Sequence, residues 1–133
     1  MLGALGTIAA QADTHADVVD LFAQMAAALS DDNAPQFMKL FDRNMPNRGQ
    51  LETQITALLA NAEVASSVEL INDEGDERKR EVEVDWYLEL RSRLRAGPLV
   101  QRRSVIQCQL EKQDKHWRVR SLQPVEFFEP SKT

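Results

Sequence analysis

The sequence predicts an α+β fold: three N-terminal helices packed into the concave face of a strongly curved, mainly four-stranded antiparallel sheet. Two observations predict it. Apolar residues recur with the 3.6-residue helical period over residues 14–62, and after Ala62 the period switches to 2. The period-2 segments are separated by short polar turns, as hairpins between consecutive strands require. Helices segregated before strands mark the α+β layer class.

Taking the elements in order, Thr14-His15-Ala16-Asp17 fits a capping box, with an acid where the free N–H groups of a first turn favour negative charge. Val18, Phe22, Met25 and Leu29 then form one helical stripe. Ser30-Asp31-Asp32-Asn33 stops this helix and caps the next, and Pro35 fits a first turn. Phe37, Leu40 and Phe41 are the apolar face of that short second helix. Asp42 to Pro46 is a break. Asn47 caps a third helix whose stripe is Leu51, Ile55, Leu58 and Leu59.

Val64, Ser66, Val68 and Leu70 alternate as a first strand, and Asp73-Glu74-Gly75-Asp76 reads as a turn. Val82, Val84, Trp86, Leu88 and Leu90 alternate with charged residues, so the second strand has one buried and one wet face. Arg95-Ala96-Gly97-Pro98 turns the chain, residues 99–111 form a third strand, Gln113 to His116 a turn, and 117–128 the last strand. Counting back from the turns sets Trp86 opposite Cys108, Leu90 opposite Ser104 and Ser92 opposite Arg102. It also sets Leu110 opposite Trp117, Cys108 opposite Val119 and Ser104 opposite Gln123. The resulting inner face is apolar at one end (Trp86, Cys108, Leu110, Trp117, Val119) and polar at the other (Ser92, Arg102, Ser104, Ser121, Gln123). A one-residue bulge inverts every face beyond it. Pro124 lands on the outer set and cannot donate to a ladder, which marks an edge strand or a bulge there.

A length of 133 residues indicates one domain, placed at 14–130. Residues 1–13 read as a leader or the remnant of a signal peptide. Leu2 to Ala10 is apolar and Ala10-Gln11-Ala12 has the form of a cleavage site, but no Lys or Arg precedes it. If Met1 to Ala12 is such a remnant the protein is exported or periplasmic; otherwise it is cytoplasmic. The net charge of -5 is uneven: residues 1–76 carry 12 acids and 3 bases, residues 77–133 carry 9 acids and 13 bases. The overall acidity argues against a nucleic-acid binder. No apolar run is long enough for a membrane-spanning helix. One cysteine, Cys108, allows no internal disulfide, and two distant histidines argue against a metal site. No cofactor is expected.

Three stretches carry a resemblance. They are "VVDLFAQMAAALSDDNAPQFMKLFD", the strand "VEVDWYLEL", and the Trp-initiated terminal strand "HWRVRSLQPVEFFEP". Together they resemble the nuclear transport factor 2-like superfamily, the cystatin-like α+β cone, over roughly residues 14–130. The resemblance implies a cone that hosts either chemistry or binding. The superfamily includes ketosteroid isomerase, scytalone dehydratase, limonene epoxide hydrolase and polyketide cyclases, as well as transport factors.

The enzymes of that superfamily place an acid or base inside the cone, where an apolar cavity raises a carboxylate's pKa. In the register above no Asp, Glu or His points inward from the strands. The helices offer Asp42 as a weak candidate base; its bland alternative is a turn aspartate bonding nearby backbone N–H groups. His15 reads as a first-turn surface residue, and Cys108 as an inert buried thiol. Arg102 is the sharper candidate. With Ser92, Ser104 and Gln123 it would hold the carboxylate of a small amphipathic acid whose apolar part meets Trp86 and Trp117. Its alternative is a rim position, or pairing with an acid such as Asp42. The outer face of the second strand runs from acids (Glu81, Glu83, Asp85) to bases (Arg91, Arg93, Arg95). That is either a solvated face or a docking surface, including for a homodimer through the sheet. The expected function is a non-catalytic domain binding a small amphipathic ligand or a protein partner; the alternative is a cone-cavity lyase or isomerase.

Overall fold

The computed structural model describes residues 2–93 and 99–130, with side chains from Asp13 onward. The elements are α1 (Leu2–Ser30), α2 (Ala34–Met38), α3 (Arg48–Asn61), β1 (Ala62–Gly75), β2 (Lys79–Ser92), β3 (Val100–Gln113) and β4 (His116–Gln123). A short 3-10 turn, Val125–Phe128, follows β4. The four strands form one open antiparallel sheet in chain order, so β1 and β4 are its edges. The predicted turn Arg95–Pro98 lies outside the described residues.

The helical stripes are the buried ones. Val18, Phe22, Met25 and Leu29 of α1 and Leu51, Ile55, Leu58 and Leu59 of α3 are all buried. Asn33 caps α2 as expected, its Oδ1 accepting from the Gln36 N–H at 3.1 Å. Two expected caps are corrected. Thr14 sits in the middle of α1, because the Ala-rich segment before it continues the helix back to Leu2. Asn47 stands at the N-cap of α3 but in a left-handed conformation (φ 64°), and its side chain makes no cap bond.

The strand register differs from the one counted back from the turns. Trp86 pairs with Ser104, Val82 with Cys108, and Leu90 with Val100. This is a slide of four residues from the expected pairing. An even slide keeps each side chain on its face, so Trp86, Cys108 and Leu110 are buried as expected. Ser92 is not opposite Arg102; it pairs with Ala62 of β1.

Two bulges do change faces. In β4 the register steps after Leu110–Val119, and Gln109 pairs with Ser121. Arg120 is the extra residue, and beyond it Leu122 turns inward (3% exposed) where Ser121 and Gln123 were expected. The strand then ends at Gln123, and Val125, Phe127 and Phe128 are buried from the 3-10 turn. In β1 the register steps between Leu70 and Asn72, with Ile71 the extra residue. Asp73 therefore lies opposite buried Val82, on the inner face. The expected turn at Asp73–Asp76 is corrected: β1 continues to Gly75, whose φ of 141° brings the chain so close to Lys79 that a Cβ would lie 2.2 Å from its carbonyl oxygen.

The edges are covered. The Asp42 N–H donates to the Val119 carbonyl (2.9 Å) and the Val119 N–H to the Leu40 carbonyl (3.0 Å), so the chain after α2 pairs with β4. On the other edge the Ser30 hydroxyl at the end of α1 accepts from the Ser66 N–H of β1 at 3.1 Å.

Trp86 is the centre of the core. It is fully buried, and the rings of Phe22 (6.2 Å), Phe37 (6.5 Å) and Phe128 (5.0 Å) meet it edge-on from α1, α2 and the C-terminal turn. Its indole N–H donates to the Ser66 hydroxyl at 2.8 Å, so the polar atom is satisfied. Trp86→Ala is expected to cost about 3–5 kcal/mol. Urea unfolding checks this, and a loss below about 1 kcal/mol would show that the helices dock without the indole.

Candidate functional site

The expected polar site is only partly assembled. Trp86 and Ser104 are cross-strand partners, and Arg102 lies two residues from Ser104 on the same half-buried face. The others are elsewhere: Ser92 at the far end of β2, Trp117 opposite Lys112, and Gln123, exposed, opposite Gln107. The Arg102 guanidinium reaches neither Asp42 nor open rim. Its Nη1 donates to the carbonyls of Phe127 (2.8 Å) and Glu129 (2.6 Å). It thereby ties the C-terminal turn to β3 and holds Phe128 against Trp86. Burial lowers its pKa from the ordinary arginine value, partly offset by the Glu129 charge.

Asp42 is at the chain's exit from α2. Its Oδ1 accepts from the Asn44 N–H (2.8 Å) and its Oδ2 from the Gln113 amide (2.6 Å), with Arg120 Nε at 3.7 Å. The Asn44 N–H lowers its pKa most, burial opposes, and Gln113 and Arg120 lower it further. This is opposite to what a general base working near neutrality needs. Cys108 is buried and its thiol pKa is pushed up by burial, so it is unreactive.

One constellation escaped the sequence reading. The β1 bulge turns Asp73 inward, where its buried side chain meets Arg80 and His15. Arg80 Nε donates to Asp73 Oδ1, and Arg80 Nη1 to the Asp76 carbonyl at 3.0 Å. His15 Nδ1 lies 2.7 Å from Asp73 Oδ2. A carboxylate paired to arginine only accepts, so Nδ1 carries the proton. The arrangement orients an imidazole, but His15 is on the outside of α1, with its side chain 55% exposed. The sequence did carry a signal: Leu70-Ile71 breaks the alternation at the bulge. Among the described residues no group of three or more His, Cys, Asp or Glu could hold a metal ion.

The outer sheet face is charged and self-paired. Arg103 forks onto Asp85, and Arg120 reaches Glu111 at 2.6 Å. Arg103 lowers the Asp85 pKa through its hydrogen bonds. The Tyr87 hydroxyl donates to Glu89 at 2.7 Å.

This arrangement of helices and sheet is that of known structures. A candidate scytalone dehydratase from Novosphingobium aromaticivorans superimposes with a TM-score of 0.78 and 11% identity, over 86% of this chain and 85% of that one. A protein of unknown function from Mycobacterium tuberculosis gives 0.76 and 15% identity, over 90% and 75%. A candidate dehydratase of the nuclear transport factor 2-like family from Streptomyces avermitilis gives 0.67 and 12% identity, over 83% and 94%. No protein-family model matches the chain, and no curated protein does. The chain therefore has the nuclear transport factor 2-like, cystatin-like α+β fold. At these identities the likeness speaks for fold and not for reaction.

Two variants test the polar clusters. Asp73→Ala leaves Arg80 buried without its carboxylate and is expected to cost roughly 3–5 kcal/mol, measured by chemical unfolding. Asp42→Asn is expected to cost on the order of 1 kcal/mol at pH 7. Because the folded-state pKa of Asp42 is lowered, its contribution is present above the unfolded value of 3.8 and is lost as pH falls through the folded one. Thermal unfolding of both proteins across pH 2–7 should thus converge at the acid end; a constant offset would contradict the charge-based origin.

Proposed function

We propose that this chain is a non-catalytic cone-fold domain that binds a small amphipathic acid or a protein partner. In this reading a strongly curved sheet wraps the helices, and the interior is packing and not a reaction chamber. The observation that carries it is the Trp86 cluster: the indole and three phenylalanines pack against one another between the helices and the sheet. The lowered pKa of Asp42, the weak candidate base that the helices offered, adds support, since it makes that carboxylate a poorer base.

The small-ligand form of the reading uses Arg102 and Ser104 beside Trp86, with a ligand carboxylate taking the place of the Phe127 and Glu129 carbonyls. Ser92, Gln123 and Trp117 would contribute only from a distance. The protein-partner form uses the outer sheet face, where acidic and basic stretches suit a homodimer in antiparallel fashion. Residues 1–13 as a leader, and export if it is a signal remnant, belong to the same proposal, with 14–130 as the binding domain.

A second reading, a cone-cavity lyase or isomerase, draws on the likeness to the two candidate dehydratases and on the oriented His15–Asp73 pair. It needs His15 to face substrate, and more than half of its side chain faces solvent.

Thermal unfolding with a panel of amphipathic acids, decanoate and cholate among them, tests the small-ligand form. Wild type should be stabilised more than Arg102→Ala, by a few degrees at saturating acid. Equal shifts in both proteins would remove Arg102 from the site.

A further inference from the structure

We propose that the cleft between the α2–α3 connection and the paired ends of β3 and β4 binds a small phosphate-bearing anion. The cleft is open, about 690 Å³, within the range of small-molecule sites. Five cations line it: Lys39, Arg43, Arg48, Arg118 and Arg120. They come from the end of α2, the connection, the first residue of α3, and β4, so separate parts of the fold converge on one concavity.

The two acids in the cleft are already engaged. Glu111 accepts from Arg120 at 2.6 Å. Asp42 is held by the Asn44 N–H and Gln113, with Arg120 also 3.7 Å away. Arg120 thus compensates both carboxylates. Arg48 is shared between the Met38 carbonyl (3.1 Å) and Glu52 (3.9 Å). Lys39, Arg43 and Arg118 have no acid within ion-pair distance among the described residues. Three uncompensated cations around one concavity, in a chain of net charge -5, make it a local positive well.

The backbone adds to it. Arg48 opens α3, whose N-terminus has no side-chain cap bond and no acid in its first turn, so its positive end is uncovered. A Cβ added at Gly49 in that same turn would meet nothing within 4 Å. Arginine forks with a lysine point charge match the several oxygens of a phosphate group better than a single carboxylate. The concavity, and the absence of an exposed aromatic on it for base stacking, point to a small molecule and not a nucleic-acid strand. The site uses none of the residues around Arg102, but it rests on the reading of the domain as a binding module.

Titration calorimetry with inorganic pyrophosphate at constant ionic strength tests it. Wild type should bind saturably. The exposed-residue variant Lys39→Ala/Arg43→Ala should bind about tenfold more weakly or worse, and Arg118→Ala should also weaken. Arg78→Ala, an exposed base outside the cleft, should bind as wild type does. No saturable heat with wild type, an equal loss in Arg78→Ala, or the same response to chloride at matched ionic strength would each overturn the proposal. Failure here with continued Arg102-dependent stabilisation by an amphipathic acid would sink the phosphate site and leave the broader binding reading standing.

Discussion

Burial of the Trp86 indole is the constraint on which the rest of the structure depends. A tryptophan in the middle of a sheet's inner face needs a complete apolar cover and a partner for its N–H. Three separate parts of the chain supply the cover: Phe22 from α1, Phe37 from α2 and Phe128 from the C-terminal turn. Ser66 of β1 supplies the acceptor. Helix docking, sheet pairing and the path of the C-terminus are thus coupled through one side chain. Arg102 serves the same end from β3, holding the turn that carries Phe128 by its carbonyls.

That solution has a chemical consequence. Around Trp86 the space between helices and sheet is taken by aromatic rings, and no carboxylate stands among them. The acids that do leave bulk water are instead compensated: Asp73 by Arg80 and His15, Asp42 by an amide N–H and Gln113. Among the described residues, cations without an acid partner gather at the surface in the basic cleft beside β4.

Two single-residue insertions into the ladders decide which polar groups meet. Without the Ile71 bulge Asp73 would point to solvent, and Arg80 would be buried without its carboxylate. Without the Arg120 bulge Ser121 and Gln123 would line the core in place of Leu122, leaving polar groups where apolar cover is needed. The same bulge sends Arg120 to Glu111 and toward Asp42. Each bulge therefore resolves a conflict between strand alternation and core composition.

The sequence by itself determined the helix stripes, the strand alternation and the α+β order, because periodicity is a local property that burial imposes residue by residue. Trp86, Cys108, Leu110, Trp117 and Val119 were legible as core for that reason. Even the four-residue slide between β2 and β3 left their faces unchanged, since it is a multiple of the strand period. What only the tertiary structure decided is where the long-range pairings fall: Asp73 beside Arg80 and His15, Arg102 on the C-terminal carbonyls, and the cations of α2, the connection and β4 around one cleft. These depend on bulges and on strand register, and a shift of one residue exchanges the inside of the sheet for its outside.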